Sequence, residues 1–303
     1  MKKILIIGAN GFLGKSFIDY FYKRKNTFGY RKLILISRNN ISNYKKSANN
    51  IFFIKKNLLN MQSLPDCDSI IYSIKSNNIN ISLKCFKKFK KLLKNFKKKP
   101  NIIFTSSGAV YGPVNIKKKI GEDDSNYKNY KNYKNYKKKY SLQKKTLEHK
   151  FKVLSNDGYK ICIARLFTFY GEHIDTKEAL PDLILQGLKK KEIKINSNNN
   201  VFRSYMSDKK LIIFLLLILN KMKKNYFVLN IGSEKTISLN ELANIISKIL
   251  KKNVIKNINK NNSIDYYVPS VLRLKKFVNF KLEENFLKNL NLLIKFYKNK
   301  LNR

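Results

Sequence analysis

Two patterns alternate along the first half of the chain. Short, nearly continuous apolar runs bounded by turn residues occur at Lys3–Ile7, Leu33–Ser37, Ile51–Ile54, Ser69–Ile74, Ile102–Ser106 and Tyr159–Leu166. Segments with apolar residues at helical spacing fall between them, for example Gly11–Lys23 and Ile81–Phe96. A strand that is apolar at successive positions must be covered on both faces, as in a parallel sheet flanked by helices. Strands alternating with helices then connect by right-handed crossovers into a doubly wound parallel sheet. The predicted fold class is α/β.

Beyond about Arg165 the alternation loosens. Helices are predicted at Thr176–Lys190, Asp208–Lys223, Ser238–Lys251 and Glu283–Lys298. Ser238-Leu239-Asn240-Glu241 has the form of a capping box before an apolar stripe. Leu211–Leu219 is wholly apolar but much shorter than the roughly 20 residues a bilayer requires. It lies between Asp208 and Lys221, which favours a buried helix over a membrane span. The triplet Asn-Tyr-Lys repeats from Asn126 to Lys137, a period that matches neither helix nor strand and points to a solvated loop.

A formal charge of +45 would suggest a nucleic-acid partner. The cations are nearly all lysines, however, with arginine only at positions 24, 31, 38, 165, 203, 273 and 303. They are spread along the chain beside abundant Asn and Ile, the signature of a biased nucleotide composition and not of a base-reading surface. No specific nucleic-acid or membrane partner is expected. Cys67, Cys85 and Cys162 form no C-x-x-C pair, which argues for reduced thiols and a cytoplasmic location. His149 and His173 have no second ligand at metal spacing, so no metal site is expected. His149 reads as a helix-surface residue, and His173 follows Tyr170-Gly171 closely enough to line a cleft.

Candidate chemistry sits in three strings. Gly8-Ala9-Asn10-Gly11-Phe12-Leu13-Gly14 follows the first apolar run. In a strand-to-helix loop of this kind, Gly8 allows the tight turn, Gly11 the approach of a pyrophosphate, and Gly14 close helix–strand packing. Ala9 to Ser16 also resembles a relaxed P-loop, but Ala9 stands where that motif needs glycine. The second string is Thr105-Ser106-Ser107-Gly108-Ala109-Val110-Tyr111-Gly112, and the third is Tyr140-Ser141-Leu142-Gln143-Lys144. Tyr140 and Lys144 lie one helical turn apart, so the ammonium is placed to favour the phenolate.

Together, in this order, the three strings resemble the extended short-chain dehydrogenases/reductases. Within that superfamily they look like the NAD-dependent epimerase/dehydratase family of nucleotide-sugar epimerases and 4-ketoreductases. The resemblance implies a Rossmann domain over residues 1–170 and a mainly substrate-binding lobe over residues 171–303, with the chain returning to the sheet later. It implies Ser107, Tyr140 and Lys144 as catalytic residues and a nucleoside-diphosphate sugar as substrate. Cofactor binding falls to Gly8, Gly11, Phe12, Leu13, Gly14, Ser37 and Arg38. Ser37-Arg38 ends the second strand without a carboxylate, which points to NADP(H) in preference to NAD(H). The family's acidic residue near the adenine is replaced by Asn57 or Asn60.

On the substrate side the resemblance implies contacts from Thr168, where the family has Asn, and from Arg203 and Arg273 to the diphosphate. Asn230-Ile231-Gly232-Ser233 matches the family's N-x-G-S turn. The 4,6-dehydratases carry Asp-Glu where this chain has Gly108-Ala109, so the resemblance points to reaction at C4 and not to 4,6-dehydration. A homodimer through the Tyr140–Lys144 helix is also implied. The departures at Asn57 and Thr168 leave a second reading open, a non-catalytic dinucleotide-binding protein of the same fold.

Overall fold

The computed structural model describes residues 2–23, 28–41, 49–124, 135–256, 263–279 and 284–302. Arg24, Arg303, the Asn-Tyr-Lys repeat through Lys134 and the expected helix start at Glu283 lie outside the described residues. The strands are β1 (Lys2–Ile7), β2 (Tyr30–Ser37), β3 (Ile51–Lys55), β4 (Ser69–Tyr72), β5 (Asn101–Ser107), β6 (Ile161–Leu166), β7 (Phe169–Tyr170), β8 (Glu192–Ile195), β9 (Asn200–Ser204), β10 (Met206–Ser207), β11 (Tyr226–Ile231), β12 (Thr236–Ser238), β13 (Asn253–Lys256) and β14 (Ile264–Tyr267). The helices are α1 (Phe12–Lys23), α2 (Ile79–Leu93), α3 (Asn135–Ser155), α4 (Ala179–Lys189), α5 (Asp208–Lys221), α6 (Leu239–Leu250), α7 (Leu272–Val278) and α8 (Phe286–Leu301).

Seven strands form one sheet in the order β11-β6-β5-β4-β1-β2-β3, and every pairing in it is parallel. The six predicted apolar runs are its first six strands in sequence. The seventh, β11, is where the chain returns from the second half. Alternation within β1 explains the double burial. Ile4 and Ile6 pack on one face with Phe17 of α1 and Leu215 of α5, while Leu5 and Ile7 pack on the other with Phe89 of α2 and Phe151 of α3. Phe151 stacks on Phe104 of β5 at 4.6 Å, which seats α3 over the middle of the sheet. Each such fully buried side chain contributes roughly 1.5–3 kcal/mol.

Leu211–Leu219 is indeed a buried helix. All nine residues are buried between the sheet, α1 and α7. Among the described residues no helix is long and apolar enough to cross a membrane. Further along the second half α4, α6 and α8 pack around β8 in a separate core, while α7 and β11 join the core of the sheet. The predicted capping box is present: Glu241 N–H donates to Ser238 Oγ at 3.1 Å and Ser238 N–H to Glu241 Oε2 at 2.6 Å. The three cysteines are buried and unpaired with one another.

The strand order reverses at β1: β2 and β3 lie to one side, and β4, β5, β6 and β11 to the other. Open parallel sheets bind ligands outside the carboxyl ends of the strands at such a reversal. The loops after β1 and β4 meet there, at Gly8 and Ser73.

Candidate functional site

The glycines of the first loop separate into two kinds. Gly8 has φ of 89°, and a Cβ there would stand 2.6 Å from the Ser73 carbonyl oxygen at the end of β4. A Cβ on Gly14 would stand 2.0 Å from the Ala9 carbonyl oxygen, because α1 lies directly on the turn. Gly11 is different: its nearest neighbour would be the Gly8 carbonyl oxygen at 3.9 Å. Nothing in the chain itself demands glycine at 11. The open space over it lies at the N-terminus of α1, where unpaired N–H groups and the helix dipole favour an anion. These residues fit a dinucleotide pyrophosphate.

The neighbouring side chains are less available than the sequence suggests. Leu13, expected beside the pyrophosphate, is only 6% exposed and packs inward in the core under the sheet. Phe12 stacks on Phe169 at 4.8 Å. Ser37 is buried and donates to the Asn39 carbonyl at 2.5 Å, while Arg38 beside it is exposed. Asn57 accepts from Leu59 N–H at 3.1 Å and caps a short turn, so its amide is occupied locally.

Ser107 ends β5 and its Oγ accepts from Ala109 N–H at 3.2 Å, capping the turn that follows. Tyr140 and Lys144 reach it from α3. The Lys144 ammonium donates to the Thr105 carbonyl at 2.7 Å and lies 5.8 Å from the Tyr140 ring centre. Burial pushes Lys144 down to about 8, against the nearby Glu148 carboxylate, with Lys75 adding to the fall. Burial also raises the Tyr140 phenol. A hydrogen bond from Ser107 opposes that rise and the Glu178 carboxylate adds to it. The sequence argument gave Lys144 the task of favouring the phenolate. In the structure its N–H bond goes to the Thr105 carbonyl, and desolvation leaves Tyr140 in its acid form at neutral pH.

Behind this trio lies a buried polar network. Glu148, one turn beyond Lys144, accepts from Ser106 Oγ at 2.5 Å and from Arg165 Nη2 at 2.8 Å and Nε at 3.1 Å. Arg165 Nη1 donates to Tyr111 Oη at 2.8 Å, and Tyr111 donates to Asn230 Oδ1 at 2.7 Å. Asn230 N–H donates to Glu122 Oε1 at 2.8 Å. Tyr111, Arg165 and Asn230 therefore lock β5, β6 and β11 to α3. Sequence reading found the strings that contain Tyr111 and Asn230 but missed Glu148, whose only signal was a carboxylate four residues after Lys144 on a lysine-rich helix.

The predicted substrate contacts are scattered. Thr168 is half-buried, and its carbonyl accepts from Met206 N–H at 3.2 Å. Arg203, on β9, forms a fork with Asp265: Nη2 to Oδ2 at 2.8 Å and Nη1 to Oδ1 at 3.1 Å. It lies 5.6 Å from the ring centre of Tyr267, whose hydroxyl is 3.5 Å from Ser107 Oγ, so Arg203 borders the site with its charge already matched. Arg273 pairs with Asp123 on the surface, with Glu122 further off at 3.8 Å. His149 is exposed on α3, as expected. His173 pairs with Asp19 of α1 at 2.6 Å. It sits beside a cavity of about 330 Å³ whose lining includes Asp19 and Asp208 but none of Ser107, Tyr140 and Lys144.

The model of the NAD dependent epimerase/dehydratase family matches residues 4–232. The chain belongs to this family. That span contains the glycine loop, Ser107, Tyr140, Lys144 and the Arg165 network. Solved structures agree in fold. A dTDP-glucose 4,6-dehydratase from Bacillus anthracis in complex with NAD matches at TM-score 0.78 and 16% identity, over 100% of this chain and 98% of that one. A UDP-glucose 4-epimerase from Thermotoga maritima with UDP-glucose matches at 0.74 and 18%, over 99% of each chain. A UDP-glucuronic acid 4-epimerase variant from Bacillus cereus matches at 0.77 and 19%, over 98% of this chain and 99% of that one. Among curated sequences none matches this chain. Dehydratases and epimerases of the family share this fold, so overall shape does not separate their reactions.

Proposed function

We propose that the chain is a nicotinamide-dinucleotide-dependent enzyme that acts at C4 of a nucleoside-diphosphate sugar, as a 4-epimerase or 4-ketoreductase. The observation that carries this is the convergence of Ser107, Tyr140 and Lys144 at the carboxyl end of β5, on the same edge of the sheet as the open Gly11 cradle. The neighbours described with NAD, UDP-glucose or a UDP-glucuronic acid analogue support the ligand classes. Gly8, Gly11 and the N-terminus of α1 would hold the pyrophosphate, and a bound nicotinamide supplies or accepts hydride. Ser107 donates a hydrogen bond to the substrate oxygen, Tyr140 moves the proton at that oxygen, and Lys144 fixes the electrostatics of the phenol. Residues 171–303 would supply most of the sugar-nucleotide lobe.

Two details refine the reading. A Cβ at position 108 would stand 2.7 Å from both Phe167 Cζ and Tyr267 Oη. The space that the family's dehydratases give to a carboxylate is filled here by aromatic rings, which supports C4 chemistry over 4,6-dehydration. Arg38, exposed at the end of β2 with no acidic residue beside it, supports a 2′-phosphate and hence NADP(H). We also propose a homodimer through α2 and α3, supported by exposed Ile81, Leu142 and Val153 on those helices. Sedimentation at moderate salt tests it, and a monomer at all concentrations would refute it. The buried free thiols support a cytoplasmic location.

Fluorescence titration with NADPH and NADH is the first test. NADPH is expected to bind about tenfold more tightly, and Arg38→Ala to remove that difference, a change of ~1.4 kcal/mol. Equal binding in the parent protein removes the Arg38 argument, and binding of neither removes the enzyme reading.

The glycines give a second expectation. Gly11→Ala should fold with an unchanged Tm and lose about tenfold or more in dinucleotide affinity, ~1.4 kcal/mol. Gly14→Ala should lose about 1–3 kcal/mol of stability because its methyl meets backbone. Thermal unfolding and the same titration measure both, and unchanged affinity in Gly11→Ala would move the pyrophosphate elsewhere.

A further inference from the structure

The site contains a second phenol. β14 runs parallel to β9 and places Tyr267 opposite Arg203. The Tyr267 hydroxyl lies 3.5 Å from Ser107 Oγ and 3.5 Å from the Leu166 carbonyl oxygen. Its ring packs on Phe167 at 4.6 Å between centres, with the Arg203 guanidinium 5.6 Å from the ring centre. Gly108 makes this possible, since any side chain at that position would collide with Tyr267 and Phe167.

A carbonyl oxygen only accepts, so when the Tyr267 proton serves Leu166 the phenol oxygen can accept only from Ser107. Ser107 Oγ already accepts from Ala109 N–H and has a single proton to give. Two phenols face that proton, Tyr140 from α3 and Tyr267 from β14. We propose that Tyr267 is a positioning residue, which competes with Tyr140 for the Ser107 proton and so weakens the hydrogen bond that Ser107 gives to the Tyr140 phenol.

This proposal rests on the Ser107–Tyr140–Lys144 reading and deepens it, since an acid-form Tyr140 suits protonation of a keto oxygen. The charged groups around the pair are Glu178 at the start of α4, Lys144 on α3 with Lys75 beyond it, and Arg203 beside Tyr267. None of them changes in the comparison below. Asp265, two residues before Tyr267 on the same strand, holds Arg203, so β14 joins the proposed diphosphate contact to the catalytic serine.

The test places a fluorinated tyrosine at position 140 of the full chain and follows its ionisation by ¹⁹F NMR across pH. Tyr267→Phe keeps the ring that packs on Phe167. It is expected to lower the ionisation midpoint of residue 140 by about half to one pH unit, the size of one net hydrogen bond. Tyr267→Leu should do the same. In a Ser107→Ala background Tyr267→Phe should have no effect, because Tyr267 acts only through that hydroxyl. An unchanged or raised midpoint overturns the proposal, as does an equal shift without Ser107. The readout needs no turnover. A shift as expected in a protein that transfers no hydride from UDP-glucose to NAD(P)⁺, and none from NAD(P)H to a 4-keto sugar nucleotide, would leave the Tyr267 proposal standing and remove the enzyme reading.

Discussion

Tyr140→Phe is expected to lower kcat by about 10²–10⁴-fold, the usual contribution of a positioned general acid or base, while NADPH and NADH bind as before. The substitution deletes one oxygen. The ring that faces the Lys144 ammonium remains, so Lys144 keeps its bond to the Thr105 carbonyl and Ser107 keeps its cap on the turn after β5. The dinucleotide cradle around Gly11 follows β1, two strands away on the same carboxyl edge of the sheet, and is untouched. What is lost is the proton transfer itself. Because burial raises the phenol above its ordinary value, Tyr140 enters the reaction as an acid at neutral pH. The loss should appear in both directions, since protonation of the keto oxygen on reduction and its reverse on oxidation cross the same transition state. Steady-state rates followed by nicotinamide absorbance, paired with fluorescence titration, make the measurement. If both proteins bind cofactor and neither turns over any sugar nucleotide, the alternative of a non-catalytic dinucleotide-binding protein is the correct one.

The sheet was legible because its strands are buried on both faces. Ile4–Ile7 and Ile102–Phe104 are apolar at successive positions, which a covered parallel strand accommodates. The short strands of the second half had no such signal. Asn200–Ser204 alternates weakly, and its identity as β9 comes from pairing with Thr236–Ser238 and Ile264–Tyr267, which no local pattern announces. The return strand β11 was implied by resemblance alone, since Tyr226–Ile231 follows a run of lysines and is buried only in its second half.

Residues that act through the backbone or through neighbours close in sequence were read correctly in kind: the tight turn at Gly8, the close packing at Gly14 and the Ser238 cap. Residues whose roles depend on a distant partner were not. Arg203 looked free to meet a diphosphate because Asp265 is 62 positions away. Tyr267 and Glu148 carry no motif, and only the fold brings one to Ser107 and the other to Ser106 and Arg165. The lysine excess hid the same fact in another form. With 19 acidic residues against 64 basic ones, each buried carboxylate has a specific partner to hold, yet the sequence shows only a diffuse positive charge.

Glu148→Gln is expected to cost about 3–5 kcal/mol of stability, the usual effect of removing one member of a buried ion pair. Glu148 and Arg165 are 9% and 16% exposed, and the arginine is held by both carboxylate oxygens. An amide there can still meet Ser106, but it leaves the guanidinium charge uncompensated between β6 and α3. Burial alone would lower the Arg165 value, and the hydrogen bond and charge of Glu148 outweigh it.

The same change acts on Lys144, which gives the prediction its pH signature. In the folded protein Lys144 ionises at about 8, below its ordinary value near 10.5. Between those values the unfolded chain binds the extra proton, so stability rises as pH increases through that window, and the full burial penalty is present below it. Removing the Glu148 charge lowers Lys144 further and starts the window at a lower pH. Urea unfolding near pH 7 and pH 9 should therefore show the larger recovery with pH in the variant. A loss under about 1 kcal/mol, equal at both pH values, would mean that Arg165 and Lys144 do not depend on this carboxylate. The site would then be held in place by the packing of Phe151 on Phe104 and not by the charge network behind it.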